Sequence, residues 1–289
     1  MKKVTSKQPE KSMASIPMLS TVVSRLLALN SNDEDYFEQV LSLSQEDPGF
    51  AVHLIKMSNS VTLASVEPIV SLRDAVVRLG TRNISSLITS LALLRVFEPS
   101  CLKVKELWLH AIQVAITARV IACTTTAFNV NPEHAYLCGL LHDIGRFSQV
   151  SGGNKKNKLD SDTGNSIEKD DAFVHASLGA RICQAWALPD ILCQVVEFHH
   201  DYELSNDLQL QPKTLHLIKI TQQANLFSTF ISELDIPEPD TFNEDLSEQI
   251  EQVCSPLIQP APVDANQLEM LMMPILEEAQ SVAKGMGIG

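Results

Sequence analysis

No Cys-x-x-Cys pair occurs among the six cysteines, Cys101, Cys123, Cys138, Cys183, Cys193 and Cys254. Most of them stand among aliphatic neighbours, where a free thiol behaves as a small apolar residue, so the expectation is a reduced, cytoplasmic protein. The lysines of MKKVTSKQPEKSM are not followed by an unbroken apolar core, because Pro17, Ser20, Ser24 and Arg25 interrupt it, and no export signal is expected. No run approaches the roughly 20 apolar residues that a bilayer crossing needs, so no membrane partner is expected either. Phosphate-cradling glycine loops are missing, since the SGG at Ser151 neither follows a strand nor precedes a Lys-Ser/Thr pair. There is no internal repeat, and no window alternates well enough to read as a strand.

Basic residues are scarce at one end only. From Glu197 onward 16 acidic residues face Lys213, Lys219 and Lys284, which accounts for the whole net charge of −13, while residues 1–196 balance. A field of that sign repels nucleic-acid phosphates and favours solvent or a basic protein surface. With no basic stripe elsewhere, nucleic acid is not an expected partner.

What is present is helical periodicity almost throughout, about a dozen helices in all. PMLSTVVSRLLALN places Leu19, Val22, Val23, Leu26 and Leu27 on one stripe, and helices are expected on both sides of the EDPG break. SLRDAVVRLGTRNISSLITSLALLRVF reads as a short helix stopped near Gly80 and a longer one to Phe97. In NPEHAYLCGLLHDIGRF, Asn131 is placed to cap and Pro132 to open a helix. Ser151–Asp171 is polar and without period, and is expected as a mobile surface loop. Pro189 is placed to open PDILCQVVEFHH, and LEMLMMPILEEAQSVAKG closes the chain as a Met-rich helix containing Pro274. Met270, Met272 and Met273 form a stripe that either docks on its own domain or meets a partner.

Five histidines and an aspartate fall at positions that can converge. His110 shares a helical face with Leu107 and Val114, His142 and Asp143 follow Leu140 and Leu141, His175 opens a helix, and His199 continues the stripe Leu192, Val195, Val196 with His200 beside it. Imidazole suits borderline divalent ions and a carboxylate adds charge, so the set is a candidate metal site. Such an ion would lower the pKa of a bound water and polarise a phosphoryl oxygen. The bland alternatives are a hydrogen-bonded core histidine for His110 and a polar helix cap for His199 and His200. Cys138, one turn before His142, reads as packing more readily than as a nucleophile.

GLLHDIGR, the upstream ELWLHAIQVA and the downstream HASLGARICQAWALPDILCQVVEFHH together resemble the HD superfamily of metal-dependent phosphohydrolases, and within it the HDOD domain. IPMLSTVVSRLLAL, SQEDPGFAVHLIKMSNS and VSLRDAVVRLGTRNISSLITSLAL resemble the stretches that precede the HD-like part there, so the resemblance runs from about Ile16 to about Phe227. It implies an all-α, two-lobed helical HDOD fold: a tail over 1–14, a first lobe over 15–100, an HD-like lobe over 101–228 and an acidic extension over 229–289. It also implies a signal-transduction or regulatory module working through signalling proteins or a nucleotide or phosphate ligand. Carried over by motif, the superfamily's ligands are His110, His142 and Asp143, with His175, His199 and His200 as further ligands for a divalent ion (Fe, Mn, Mg, Zn or Ni). The last superfamily ligand is an aspartate, and here Gln222 or Asn225 stands where it is expected, with no Asp or Glu from Leu208 to Ser232. The GYP element of the cyclic-dinucleotide enzymes is missing as well. The expectation is therefore a pocket that binds without turnover, with a phosphohydrolase using Asp143 and Arg146 as the alternative.

Overall fold

Among the residues that the computed structural model describes there are ten α-helices and no strand. They are residues 22–288 without 23–24, 27, 30–32, 47–49, 53, 56–57, 59–69, 126, 152–166, 187, 205–209, 235–245, 258–260 and 287. In chain order the helices are α1 Tyr36–Gln45, α2 Leu72–Val96, α3 Leu102–Thr124, α4 Pro132–Leu141, α5 Ile144–Ser151, α6 Ile167–Ala185, α7 Asp190–Phe198, α8 Pro212–Glu233, α9 Leu246–Val253 and α10 Ala265–Met286. The helices expected within 17–30 and 50–60 are described only in part: residues 22, 25 and 26 and residues 50–52, 54, 55 and 58 are helical.

Helix boundaries follow local chemistry. The Asn131 side chain accepts from the Glu133 N–H at 2.9 Å and Pro132 stands in the first turn of α4, where its missing N–H costs nothing. Pro189 precedes α7. Gly80 takes φ +71°, a left-handed value, and breaks α2 into the two segments expected from the sequence. His142 and Asp143 occupy the turn between α4 and α5, so both side chains leave the backbone where two helices change direction.

α3 is the central element, packed on α4, α5, α8 and α10. Trp108, Ala111, Ile112, Val114, Ala115, Ile116, Ala118 and Ile121 of this helix are all buried. Contrary to expectation, Leu102–Thr124 is long and apolar enough by length and composition to cross a membrane. Its apolar residues line the protein's own core on several sides, which is why it lacks a polar face. An aromatic cluster closes the junction with α2. The Trp108 indole N–H donates to the Phe97 carbonyl at 2.8 Å, and Phe147 lies 5.0 Å from Trp108 and 5.5 Å from Phe97 between ring centroids.

Two further boundaries differ from the sequence reading. Ser151 still belongs to α5 and 167–171 to α6, leaving 152–166, the rest of the expected loop, outside the described residues. The acidic C-terminal stretch is not an appendage poor in core residues. Leu246, Ile250, Leu257, Leu268, Met272, Ile275 and Ala279 join the same buried cluster as α3, and the Met stripe docks through Met272 while Met270 stays exposed. Burying each of the leucine, isoleucine and methionine side chains is worth about 1.5–3 kcal/mol. The Gln223 amide spans to Val263, donating to its carbonyl at 2.6 Å and accepting from its N–H at 3.1 Å, and Arg119 of α3 pairs with Glu278 of α10. The periodicity was diluted by acids on the solvent face, which hides a core stripe from a composition count.

Two glycines permit close helix approach around the HD turn. A Cβ on Gly139 would come within 2.7 Å of Ala115 Cα in α3, and one on Gly145 would overlap the His175 carbonyl oxygen in α6. Both obstacles are backbone, so they cannot rotate away. Gly145→Ala is expected to cost about 1–3 kcal/mol through overpacking and to separate α5 from α6; an unchanged urea midpoint would contradict the close approach.

Candidate metal centre

The structure brings all six candidate ligands together. Among the described residues, two sets of His/Asp ligand atoms lie mutually within 4.8 Å: Asp143, His175, His199 and His200, and His110, His142 and Asp143. Asp143 belongs to both. It comes from the α4–α5 turn, His110 from α3, His175 from α6, and His199 and His200 from the end of α7. His142, His175 and His199 are fully buried and Asp143 is nearly so.

The geometry around Asp143 is specific. Its Oδ1 lies 2.9 Å from His175 Nε2, 3.6 Å from His199 Nε2 and 3.2 Å from Arg146 Nε, and its Oδ2 lies 3.5 Å from His142 Nε2. His175 Nε2 is also 3.3 Å from His199 Nε2 and 3.1 Å from His200 Nε2. Two rings are locked by their own helix ends. His142 Nδ1 sits 2.6 Å from the Gly139 carbonyl and His199 Nδ1 sits 2.7 Å from the Val196 carbonyl, each three residues back. A carbonyl can only accept, so Nδ1 carries the proton in both rings, and in a neutral ring Nε2 then carries a lone pair. The polar-cap reading of His199 thus holds for one ring nitrogen while the other faces Asp143. His110 is turned the other way, its Nε2–H donating to Asn225 Oδ1 at 3.0 Å, which leaves Nδ1 as its basic atom.

Burial holds His142 far below the ordinary histidine range, to about 3, with His199 and His110 pushing the same way against Asp143. His200 is lowered to about 2, again chiefly by burial, and burial also lowers His110. Asp143 behaves oppositely: burial alone would raise its carboxyl, but His142, His175 and His199 beside it hold it well below the usual carboxylate range. At neutral pH an ionised carboxylate therefore faces the lone pair of a neutral imidazole at 3.5 Å. His142 Nε2 is buried without a hydrogen-bond partner and faces Asp143 Oδ2, while Asp143 Oδ1 lies against His175 Nε2 and Arg146 Nε. A lone pair and a carboxylate oxygen that face one another across 3.5 Å make a place for a cation, and burial disfavours a proton on His142. A divalent ion fits, and an imidazole-rich donor set with one carboxylate suits a borderline ion such as Zn, Fe or Ni better than Mg.

The two residues at the expected position of the superfamily aspartate do different things. Asn225 holds His110, whereas Gln222, fully buried, donates from Nε2 to the Phe198 and Asp201 carbonyls at 3.3 and 2.9 Å. Neither contact was legible beforehand; the signal that pointed to this face is the family resemblance, which places the last ligand within Leu215–Phe227. Arg146 is 38% exposed at its side chain and stands beside Asp143 at the edge of the cluster. Cys138 is buried and burial pushes its thiol up, as expected of a packed residue rather than a nucleophile.

The buried neutral histidines make stability pH-dependent. An unfolded chain protonates them near 6.5, whereas folded His142 stays neutral to about 3, so the unfolded state binds more protons between those values and stability falls as pH drops through that window. His142 alone contributes a slope of up to about 1.4 kcal/mol per pH unit, and the Asp143 contribution is lost only at lower pH. Urea midpoints of metal-free protein should therefore decline from about pH 6.5 to about pH 4.5, and a flat profile would contradict neutral burial.

Comparison with known proteins places this geometry in a family. The HDOD domain pattern matches residues 16–202, well over half of the chain. An uncharacterized protein of Treponema pallidum (strain Nichols) is 24% identical over 194 residues, 64% of this chain; the chain spans only 38% of that relative's length. An HDOD domain protein with unknown function from Geobacter sulfurreducens shares the fold with a TM-score of 0.68 at 22% identity, covering 95% of this chain and 96% of that one. A candidate signal transduction protein from Marinobacter aquaeolei VT8 gives 0.67 at 19% identity, covering 98% and 62%. A candidate phosphohydrolase from Shewanella amazonensis SB2B gives 0.62 at 20% identity, covering 96% and 99%. An all-α arrangement, the HD turn with its converging histidines and the family match agree: the chain belongs to the HDOD domain family.

Proposed function

We propose that this chain is a regulatory HDOD protein that acts in signal transduction through protein contacts, and that its His/Asp pocket holds a divalent ion without turning over a substrate. The observation that carries the reading is the solitary carboxylate. Asp143 serves both ligand sets, and no second Asp or Glu stands in either among the described residues. One carboxylate and neutral imidazoles leave a divalent ion with net positive charge. They also leave no second carboxylate to take a proton from an attacking water. Gln222 and Asn225 commit polar atoms to backbone carbonyls and to His110, which supports a holding role for this face. A bound ion would supply charge that fixes α3, the HD turn, α6 and α7 relative to one another. The acidic C-terminal third favours a basic surface on a partner, and six free thiols suit a reducing, cytoplasmic setting.

A second reading, a metal-dependent phosphohydrolase acting on a nucleotide or cyclic dinucleotide, is favoured by Arg146 alone. Its partly exposed guanidinium beside Asp143 could meet a phosphate. The two readings separate in one experiment on protein purified without chelator. The holding role requires about one equivalent or more of tightly bound metal that Asp143→Ala abolishes, with no turnover of a phosphoester panel supplied with Mn, Fe or Mg. Turnover that disappears in Asp143→Ala would replace the first reading with the second, and metal-free wild-type protein would remove both.

A further inference from the structure

We propose that Gln222 is a positioning residue that sets the place of His199 and His200, a role that a carboxylate at the same position cannot fill. The inference concerns the metal-holding pocket proposed above and rests on that reading for its consequence, though not for its geometry.

His199 and His200 follow the last residue of α7, in the turn where a helix runs out of N–H partners for its terminal carbonyls. The Asp201 N–H closes the turn on the Phe198 carbonyl at 3.0 Å. Gln222 reaches across from α8 and donates one amide proton to the Phe198 carbonyl and the other to the Asp201 carbonyl. Those carbonyls bracket the His199-His200 dipeptide, so both sides of the pair are tied to a fully buried side chain on a neighbouring helix. His199 is then fixed a second time by its own Nδ1 on Val196, and His200 Nε2 arrives 3.1 Å from His175 Nε2.

The chemistry of the clamp needs two donors at one atom, facing two acceptors. An amide provides that, whereas a carboxylate offers only acceptors and would place negative charge against two carbonyl dipoles in a buried site. The change from the superfamily aspartate is thus more than a lost ligand. The position holds two other ligands in place, and the remaining polar atom, Gln222 Oε1, stays buried without a hydrogen-bond partner. Second-layer groups of this kind orient ligands, and their loss lowers metal affinity by about 10–100-fold.

The test uses the full chain, wild type, Gln222→Glu and Gln222→Met, with two readouts. Histidine-ring NMR on metal-free protein reports position directly: His199 and His200 signals should shift in both variants while those of His134 and His216 stay in place. Titration with Zn2+ alone should show affinity weakened at least about tenfold in both variants. In wild-type protein the Gln222 amide protons should be protected from solvent exchange, a measurement that holds even if a variant fails to fold. Unshifted His199 and His200 signals, unprotected amide protons, or Zn2+ bound as tightly or more tightly by Gln222→Glu would each overturn the proposal. A wild type that binds no Zn2+ would sink the metal-holding reading and leave the NMR result to decide the clamp.

Discussion

Burial of one negative charge organises this pocket. An ionised carboxylate removed from water costs several kcal/mol unless compensated, and Asp143 Oδ1 has Arg146 at 3.2 Å and His175 at 2.9 Å, with the Nε2 atoms of His142 and His199 a little further out. Each of those groups comes from a different turn or helix. The requirement that they meet at one carboxylate explains the close approach of α5 to α6 at Gly145 and of α4 to α3 at Gly139. It also explains why two histidines spend Nδ1 on carbonyls three residues back, since that leaves Nε2 for the centre.

The same constraint connects fold to function. Three helices, α3, α6 and α7, and the α4–α5 turn supply the candidate ligands, so occupancy of the centre by an ion would be thermodynamically linked to the arrangement of those elements. The C-terminal helix α10 is part of the same body, held on α3 by buried Leu268, Met272 and Ile275 and by the Arg119–Glu278 pair. The HD turn and this C-terminal helix are joined through α3, which touches α4, α5, α8 and α10.

Much of this was legible in the chain. The start of α4 at Asn131-Pro132, the break at Gly80 and the opening of α7 after Pro189 follow from capping and backbone preferences that act within a few residues. The six residues that converge were legible from helical spacing and from the family resemblance together, because each sits on an apolar face or at a helix end. Contacts between distant segments were not. Gln222 lies 24 and 21 residues from the carbonyls it holds, and Asn225 lies 115 from His110. Nothing local distinguishes a glutamine that clamps a turn from one that ligates an ion. The C-terminal stretch misled for a related reason: among the described residues its acids stay at least partly exposed while Leu268, Met272, Ile275 and Ala279 are buried, and a net-charge count averages the two.

The central claim is that one carboxylate and several imidazoles converge on a single ion. X-ray absorption spectroscopy of the wild-type protein loaded with zinc tests it most directly, because imidazole rings give an outer-shell scattering pattern that water and carboxylate do not. Asp143-centred binding requires a first shell of N and O donors with the signature of at least two histidine rings, diminished in His142→Ala. A shell of oxygen donors alone, or a histidine signature unchanged in His142→Ala, would contradict it.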